Sequence, residues 1–335
     1  MKLGVINFLR GFAIFTIVVM HLVDSYPMPE ALVKAFALGG AGVHVFIFCS
    51  GLGLYLSYLK KPLGYLDFLK KRFSRIYMPY AFCVAAWGLW YLFSSGLFPI
   101  REVMSHLFLY KMFSTELDGS LCFPYWFIST IIQFYLCWPL IVRLMKNKSA
   151  NSGAIIALVI SLTWSTVVAI LGRQEERPWG SFFLQYLWEF CLGMWVADKL
   201  HTYRNVHNEW PQWVNVGQWK WRWILSAIVI GLGTHALMAW NGGVLKLYND
   251  IPSLIGYSAC ALFVYKLGWK HVNSFFEWTN GFGYELYLLH MLVYVVIAKG
   301  VCIPLPYWME FIVCFSCSYA VAWLYNRLWN LKTSK

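Results

Sequence analysis

The stretch that decides the fold reads GVINFLRGFAIFTIVVMHLV and covers residues 4–23, an almost wholly apolar run that contains Arg10 and His21. A helix of about 20 apolar residues is long enough to cross the ~30 Å hydrocarbon core of a bilayer. Arg10 and His21 lie eleven residues apart. Since that spacing makes about three helical turns, both side chains share one face, roughly 16 Å apart along the axis. Ionisable groups inside a bilayer are costly and commonly mark a pathway or a reaction centre, so we expect this face to be functional.

His21 is the candidate catalytic group of this first span. An imidazole takes and returns a proton near neutral pH, which suits a general base that activates an alcohol. Asp24 follows three residues later, where side chains are neighbours on a helix, and is a candidate orienting partner. The alternative is a histidine that caps the helix at the headgroup boundary. Arg10 on the same face favours the functional interpretation, because a buried guanidinium needs an anionic partner or ligand.

The rest of the chain repeats the apolar pattern. Of 335 residues, 60% are hydrophobic and only 13% are charged, against about 25% charged in soluble domains. We predict an all-α, polytopic integral membrane protein, a single membrane-embedded domain over residues 1–335 with no appended soluble domain. The ten predicted spans cover residues 4–23, 36–59, 77–97, 123–143, 153–171, 182–200, 223–240, 252–268, 281–299 and 306–329.

The charge distribution predicts the orientation of these spans. The net charge is +12, which could indicate a nucleic-acid partner if it were spread evenly. With the N-terminus inside, however, the loops on that side gather most of the basic residues, among them Lys60, Lys61, Lys70, Lys71, Arg72 and Arg75. The other side holds acids instead, among them Asp24, Glu30, Glu116, Asp118, Glu175 and Glu176. This asymmetry predicts that both termini are cytoplasmic, and we expect no nucleic-acid partner.

Two further spans carry ionisable groups at membrane depth. His44 in the second span lies at a depth comparable to that of His21, so it is either a packing residue or a residue that handles an acceptor. Glu189 in the sixth span is an intramembrane acid with no partner that the sequence can name. In the ninth span, Glu285 is a candidate counter-ion for Arg10, and Tyr284, Tyr287 and His290 share one face of a helix.

A basic segment precedes the third span and reads FLKKRFSRIYMPY over residues 68–80. Arg72 and Arg75, three apart on a helical turn, could hold a phosphate or diphosphate through paired donors, with Lys71 beside them. The alternative is a basic loop that fixes orientation and contacts anionic lipid head groups. In the fourth span, Trp126 and Ser129 lie on adjoining turns and could floor a sugar-sized pocket, unless Trp126 is simply an interface anchor.

Neither the cysteine spacing nor the histidine spacing predicts a metal site. Cys314 and Cys317 form a CxxC, but inside an apolar helix, where small polarisable packing residues are the better interpretation.

Five segments, in this order, resemble the acyltransferase 3 family, the membrane-bound acyltransferases that include O-antigen and exopolysaccharide O-acetylases. They are Arg10 and His21 with ten residues between them, GVHVFIFCSG at 42–51, FLKKRFSRIYMPY at 68–80, WFISTIIQFYLCWPL at 126–140 and YELYLLH at 284–290. The resemblance runs from Asn7 to about His290.

The resemblance implies an acyl-CoA-dependent O-acyltransferase of the bacterial inner membrane. It implies transfer of an acyl group, commonly acetyl, from cytoplasmic acyl-CoA to a hydroxyl of a cell-envelope glycan or lipid-linked sugar, as in lipopolysaccharide O-acetylation. The family's arginine and histidine correspond to Arg10 and His21, its donor-side basic pair to Arg72 and Arg75, and its second-span serine to Ser50. No metal is implied.

The chain also departs from the family's pattern. Many O-antigen acetylases carry two glutamates where this chain has Ile131 and Ile132, and many carry an acid at the position of His44. Asp24 or Glu189 could substitute for these acids. The rival interpretation is a transporter of a small solute or lipid-linked glycan without covalent transfer, since polar residues on glycine-rich spans also mark substrate pathways. No internal repeat is visible, which counts against it.

Overall fold

The computed structural model describes residues 4–147, 149–300 and 305–333. This part of the chain is helical and contains no β-strand. The predicted cytoplasmic termini, residues 1–3 and 334–335, lie outside the described residues. In chain order the α-helices are α1 Gly4–Asp24, α2 Glu30–Ala37, α3 Gly42–Lys60, α4 Tyr65–Arg72, α5 Met78–Ser95, α6 Ile100–Leu107, α7 Trp126–Leu136, α8 Trp138–Lys146, α9 Ala150–Ile170, α10 Arg177–Gly180, α11 Leu187–His207, α12 Trp221–Asn241, α13 Asp250–Lys266, α14 Lys270–Asn280, α15 Gly283–Gly300 and α16 Tyr307–Thr333.

Several of these helices are long and apolar enough to cross a membrane. Among the described residues there are six such helical stretches, or eight if each of two bent helix pairs counts as one span. The six stretches are Gly4–Asp24, Glu30–Lys60, Tyr65–Ser95, Ala150–Ile170, Trp221–Asn241 and Tyr307–Leu331. The chain is therefore an all-α, multi-pass membrane protein, as predicted.

The predicted number of ten spans stays a prediction. The two predicted spans outside the set of eight coincide with α11 and α13. α11 carries Glu189, Asp198 and Lys199 along its length, and α13 has only 17 residues. Both helices are thus more polar or shorter than an ordinary span.

The fourth predicted span is bent rather than straight. Its two parts, Phe123–Leu136 and Trp138–Lys146, meet at 58°. Pro139 stands in the first turn of α8. Because proline lacks an N–H and its ring collides with the preceding turn, it begins a new helix instead of continuing the old one. A second bent pair, α14 and α15, meets at 80°.

α1 lies at the centre of the bundle. It packs against α3, α13, α14, α15 and α16. Phe8, Ile14, Val18 and Leu22 are fully buried along its length. Since α1 is one unbroken helix, the three-turn spacing of Arg10 and His21 holds. We call its two ends the Arg10 end and the His21 end.

The close crossing of α3 and α11 depends on glycine. A Cβ added at Gly51 would collide with the carbonyl of Phe190, and one added at Gly193 would collide with the carbonyl of Phe48. Only glycine therefore lets these two backbones approach so closely. The crossing brings the start of α3 against the start of α11. The start of α3 itself packs beside the middle of α1, where a Cβ added at Gly42 would meet the carbonyl of Ala13 and the side chain of Ile17.

Candidate active site

At the His21 end, two histidines from distant parts of the chain meet. The imidazole rings of His21 on α1 and His290 on α15 have centroids 5.3 Å apart. His21 is partly buried and His290 is fully buried. The sequence singled out both residues but gave no sign that they are neighbours, because the pairing depends on how α1 and α15 pack.

The hydrogen bonding of His290 indicates its tautomer. Its Nδ1 lies 3.1 Å from the carbonyl oxygen of Leu286, so Nδ1 carries the proton and donates it there. Its Nε2 is buried and has no hydrogen-bond partner among the described residues. The side chain therefore holds a free lone pair inside the bundle, which is an unusual state for a buried nitrogen. A neighbouring proton donor would satisfy it.

Tyrosine hydroxyls hold α15 in place around this histidine. Tyr284 donates to the carbonyl of Ile76 at 2.6 Å, and Tyr287 donates to the carbonyl of Pro124 at 2.5 Å. From the other direction, Tyr125 donates to the carbonyl of Leu288 at 2.6 Å. The face that carries Tyr284, Tyr287 and His290 is therefore fixed to two other segments, which fixes the position of the His290 ring.

Asp24, the predicted orienting partner of His21, does not fill that role in the structure. Its side chain is exposed at the last residue of α1, and it forms no hydrogen bond with His21 among the described contacts. The backbone carbonyl of His21 accepts a hydrogen bond from Ser25 instead, at 2.7 Å. The three-residue spacing alone could not show this, because Asp24 stands where the helix ends.

At the Arg10 end, three guanidinium groups converge. The charges of Arg72, Arg10 and Arg75 all act on the side chain of Tyr135, which is buried in α7. Arg10 and Arg75 are exposed, and Arg72 is half-buried over the ring of Phe68 at 5.5 Å. The structure thus brings together the three arginines that the sequence assigned to donor binding. We call them the arginine cluster.

No described carboxylate lies within salt-bridge distance of the arginine cluster. Within residues 4–147, 149–300 and 305–333, none of its members forms a salt bridge, and the buried Nε of Arg72 has no hydrogen-bond partner. Glu285, the predicted counter-ion of Arg10, is instead acted on by Arg75. A cluster of unpaired cations is suited to an anionic ligand such as a phosphate group.

The backbone beneath the arginine cluster is irregular. Between α4 and α5 the chain forms a π-helical turn, Phe73–Tyr77, which contains Arg75. π-Helical turns are rare in proteins as a whole, but many of those that occur lie at functional sites. Lys71 is exposed next to the pair, and Ser50 is half-buried on α3. Arg10 also acts on Cys49, the residue before Ser50, so α3 passes close to the cluster.

The two ends of α1 are separated by packed side chains. Ile14 and Ile17 lie between Arg10 and His21 on α1, and they are 0% and 3% exposed. Ile14 faces Gly283 at the start of α15. On this face of α1, packed side chains therefore lie between the arginine cluster and His21.

A second polar group lies at the starts of three helices. His44 Nδ1 lies 2.7 Å from Glu189 Oε1, and His44 Nε2 lies 3.9 Å from Asp250 Oδ1. His44, Glu189 and Asp250 stand in the first turns of α3, α11 and α13, respectively. The partner of Glu189 that the sequence could not name is thus His44. One donor atom from each residue lies within 4.8 Å of the other two, so the three could hold a metal ion.

A cleft of about 210 Å³ reaches this group from the surface. Its lining includes Glu176, Arg177, Gln185, Tyr186, Lys246 and Asp250. The ring of Tyr186 stacks on Trp126, with centroids 6.2 Å apart, and its other neighbour is the ring of His44 at 5.9 Å. Trp126, His44 and Glu189, three of the predicted acceptor residues, are therefore brought together around Tyr186.

Ser129, the fourth predicted acceptor residue, lies elsewhere. Its side chain is 5% exposed, and its hydroxyl faces the carbonyl of Leu109 at 3.4 Å. Trp126 is the first residue of α7 and turns toward Tyr186, whereas Ser129 turns toward the loop after α6. The two side chains therefore do not floor one pocket, contrary to the prediction.

The segment beside this cleft, which includes α6 and the loop after it, buries two ionisable groups that the sequence analysis missed. Lys111 Nζ donates to the carbonyls of Ser120 and Cys122 at 3.1 and 2.7 Å, and burial lowers the pKa of Lys111 to about 8. His106 in α6 donates from Nδ1 to the carbonyl of Glu102, and burial lowers the pKa of His106 to about 4. These bonds shape the loop that leads into α7.

Comparison with protein families agrees with this architecture. The family model described as an acyltransferase domain, acyltransferase 3, matches residues 3–327. The match spans the arginine cluster, both histidines of the His21 end and all three residues around the cleft. No curated protein and no solved structure matches the chain significantly.

Proposed function

Because the chain belongs to the acyltransferase 3 family and is a membrane acyltransferase, we propose that it transfers an acyl group from cytoplasmic acyl-CoA to a hydroxyl of a cell-envelope glycan. The acyl group is acetyl, and the protein resides in the bacterial inner membrane. One observation supports this proposal above the others. α1 carries an unpaired arginine cluster at one end and a pair of imidazoles at the other.

The arginine cluster binds the phosphates of acyl-CoA. Arg10, Arg72 and Arg75 have no carboxylate partner, and guanidinium groups recognise phosphate oxygens through paired donors. The free Nε of Arg72 is one such donor. Lys71 adds positive charge at the exposed side, and Ser50 lies near the path that the cofactor takes into the bundle.

The acyl arm then reaches toward His21. The separation of Arg10 and His21 along α1 is about half the hydrocarbon thickness, so a cytoplasmic donor can react near the opposite surface without crossing it. The thin pantetheine arm has to displace the packing of Ile14 and Ile17, which are buried between the two ends. Separation of α1 from α15 at Gly283 opens the path.

At the His21 end, the acceptor oxygen attacks the carbonyl carbon of the thioester. His21 takes the hydroxyl proton, the carbon–sulfur bond breaks, and the departing thiolate of CoA receives the proton from His21. His290 positions this step, since its free Nε2 lies in the ring next to His21 and can accept a hydrogen bond from the protonated imidazole. An acyl group carried on His21 is the two-step alternative.

The glycan enters through the cleft beside Tyr186. Trp126 and Tyr186 offer stacked aromatic faces, Arg177 lies 5.1 Å over the ring of Trp126, and charged groups of both signs line the walls. Such a surface suits the alternating apolar faces and hydroxyls of a sugar. His44 and Glu189 support Tyr186 from the bundle side.

The test is an assay in vesicles that hold the purified protein, with acetyl-CoA labelled on the acetyl group and a glycan acceptor. Label that becomes covalently bound to the glycan supports the proposal. Uptake of a solute without covalent label would indicate a transporter instead. Mass spectrometry of surface glycans from cells with and without the protein then identifies the acceptor by a lost acetyl mass.

A further inference from the structure

The group of His44, Glu189 and Asp250 contains a buried oxygen that lacks a hydrogen-bond partner in the described part of the chain. A role in supporting the acceptor cleft does not explain this oxygen. Glu189 is 0% exposed, and its Oε2 has no hydrogen-bond partner among the described residues. A carboxylate oxygen buried without a partner is costly, and two carboxylates close together in a bundle interior repel each other. A cation held between the carboxylates would relieve both costs. We propose that these three residues bind a divalent transition-metal ion, with Zn²⁺ as the best-fitting ion.

The donor set fits such an ion. One imidazole nitrogen and two carboxylate oxygens are ligands that zinc accepts, whereas Mg²⁺ and Ca²⁺ prefer oxygen alone. One donor atom from each residue already lies within 4.8 Å of the other two. Ligands of a tetrahedral zinc ion lie about 3.4 Å apart, so side-chain movements of about 1 Å close the site. The unpartnered Oε2 of Glu189 is then explained as a further metal donor.

The helix geometry offsets part of the cost of burying charged ligands. Glu189 and Asp250 both stand in the first turn of a helix, and the partial positive charge of a helix N-terminus stabilises an ionised carboxylate. Metal binding needs deprotonated carboxylates. Three helix starts therefore present the ligands from three directions, which is the arrangement that encloses an ion.

Residues behind the ligands fix their orientation. Gln185 donates from Nε2 to Asp250 Oδ2 at 2.7 Å, so Oδ1 is the oxygen left for a metal. Ser165 in turn donates to Gln185 Oε1 at 3.0 Å. Metal sites commonly hold their ligands through such outer hydrogen bonds. The cleft of about 210 Å³ is lined by Asp250, Gln185 and Tyr186 and gives an ion access from the surface.

The spacing of the residues explains why the sequence gave no sign of this site. His44 and Glu189 are 145 residues apart, and short metal motifs place their ligands within a few residues of each other. The close crossing of α3 and α11 at Gly51 and Gly193 is what brings the first two ligands together. Only tertiary packing could reveal the group.

The experiment measures metal rather than acyl transfer, so it is independent of the proposed function. Detergent-purified protein is stripped with a chelator, exposed to Zn²⁺, desalted and analysed for zinc by mass spectrometry; Co²⁺ replaces Zn²⁺ in a parallel sample for its visible absorption. We expect about one ion per chain, a Co²⁺ spectrum of low-coordinate type, and a Tm that rises with added Zn²⁺.

Variants locate the ion. His44→Gln and Asp250→Asn are expected to lower the Zn²⁺ affinity at least about tenfold. The matched control is His201→Gln, a partly exposed histidine later on α11, which is expected to bind as the unaltered protein does. Zinc absent from the unaltered protein, no Tm shift, or equal zinc in all variants would each overturn the proposal. If a variant fails to fold, the Co²⁺ spectrum and Tm shift of the unaltered protein still decide it.

Discussion

At the Arg10 end of α1, three guanidinium groups lie near Tyr135 and form no salt bridge with a described carboxylate, whereas inside the bundle His44 lies close to both Glu189 and Asp250. Unpaired cations near a surface cost little while they are hydrated, and they are available to an incoming anion. Inside the bundle, the imidazole of His44 lies close to both acids, but Oε2 of Glu189 stays without a partner among the described residues. The comparison indicates that the Arg10 end suits an anion that arrives from water, and that the buried group suits a cation held inside the bundle.

The largest effect is expected at His21. His21→Ala removes the proposed general base, so we expect the rate of acyl transfer to fall by about 10²–10⁴-fold while acyl-CoA still binds to the arginine cluster. The measurement is single-turnover transfer from labelled acetyl-CoA beside equilibrium binding of CoA. His201→Ala is the matched control and is expected to keep full activity. Full activity in His21→Ala would remove this residue from the chemistry.

The next effect concerns the arginine cluster. Arg72→Ala with Arg75→Ala removes charged hydrogen bonds worth about 1.5–3 kcal/mol each, so we expect the Kd of acyl-CoA to rise by roughly 100-fold or more. Transfer at saturating acyl-CoA should change far less. The control is Lys70→Ala, at an exposed position on α4. It tests whether the loss of any positive charge in this region raises the Kd. An unchanged Kd in the double variant contradicts a phosphate role.

A smaller effect on kcat is expected to show which residue, His290 or Asp24, is the partner of His21. Because the ring of His290 lies next to His21 and Asp24 is exposed without a bond to it, His290→Gln is expected to lower kcat by about tenfold and to move its pH profile. Asp24→Asn should change kcat less than twofold. These figures follow from the usual size of proton-transfer contributions. The reverse result would restore Asp24 as the orienting partner.

The smallest expected effect concerns how the stability of the folded protein depends on pH. Burial lowers the pKa of His106 to about 4 from 6.5. The unfolded state therefore takes up a proton that the folded state refuses, and stability falls as the pH drops from about 6.5 to about 4. The loss is on the order of 3 kcal/mol at the acid end. We expect His106→Gln to flatten Tm against pH in this window, and an equally steep profile would show that His106 is not the cause.

The sequence predicted the features that lie within a single helix, and it missed the contacts that join two helices. The helical period alone placed Arg10 and His21 on one face of α1, and a spacing of three residues suggested the pairing of Arg72 with Arg75. The contact of His21 with His290, and the group of His44 with Glu189 and Asp250, join helices far apart in the chain. No pattern of spacing encodes such contacts.

Predictions from neighbouring residues also failed near the ends of helices. Asp24 follows His21 by three residues, but it is the last residue of α1 and stays exposed. Trp126 begins α7, so it and Ser129 face different neighbours. Pro139 could have been read as a break, since proline begins helices more readily than it continues them. The sequence predicted helix boundaries less well than helical periodicity.

The most direct test of the central claim is the sidedness of transfer. Vesicles are prepared with the protein in one orientation, labelled acetyl-CoA on the side of the arginine cluster and a glycan acceptor only on the His21 side. We predict labelled glycan in the acceptor compartment, with the CoA product and the unreacted acetyl-CoA retained where the donor was added, and no labelled glycan with His21→Ala. Transfer that occurs only when donor and acceptor share one compartment would contradict the account.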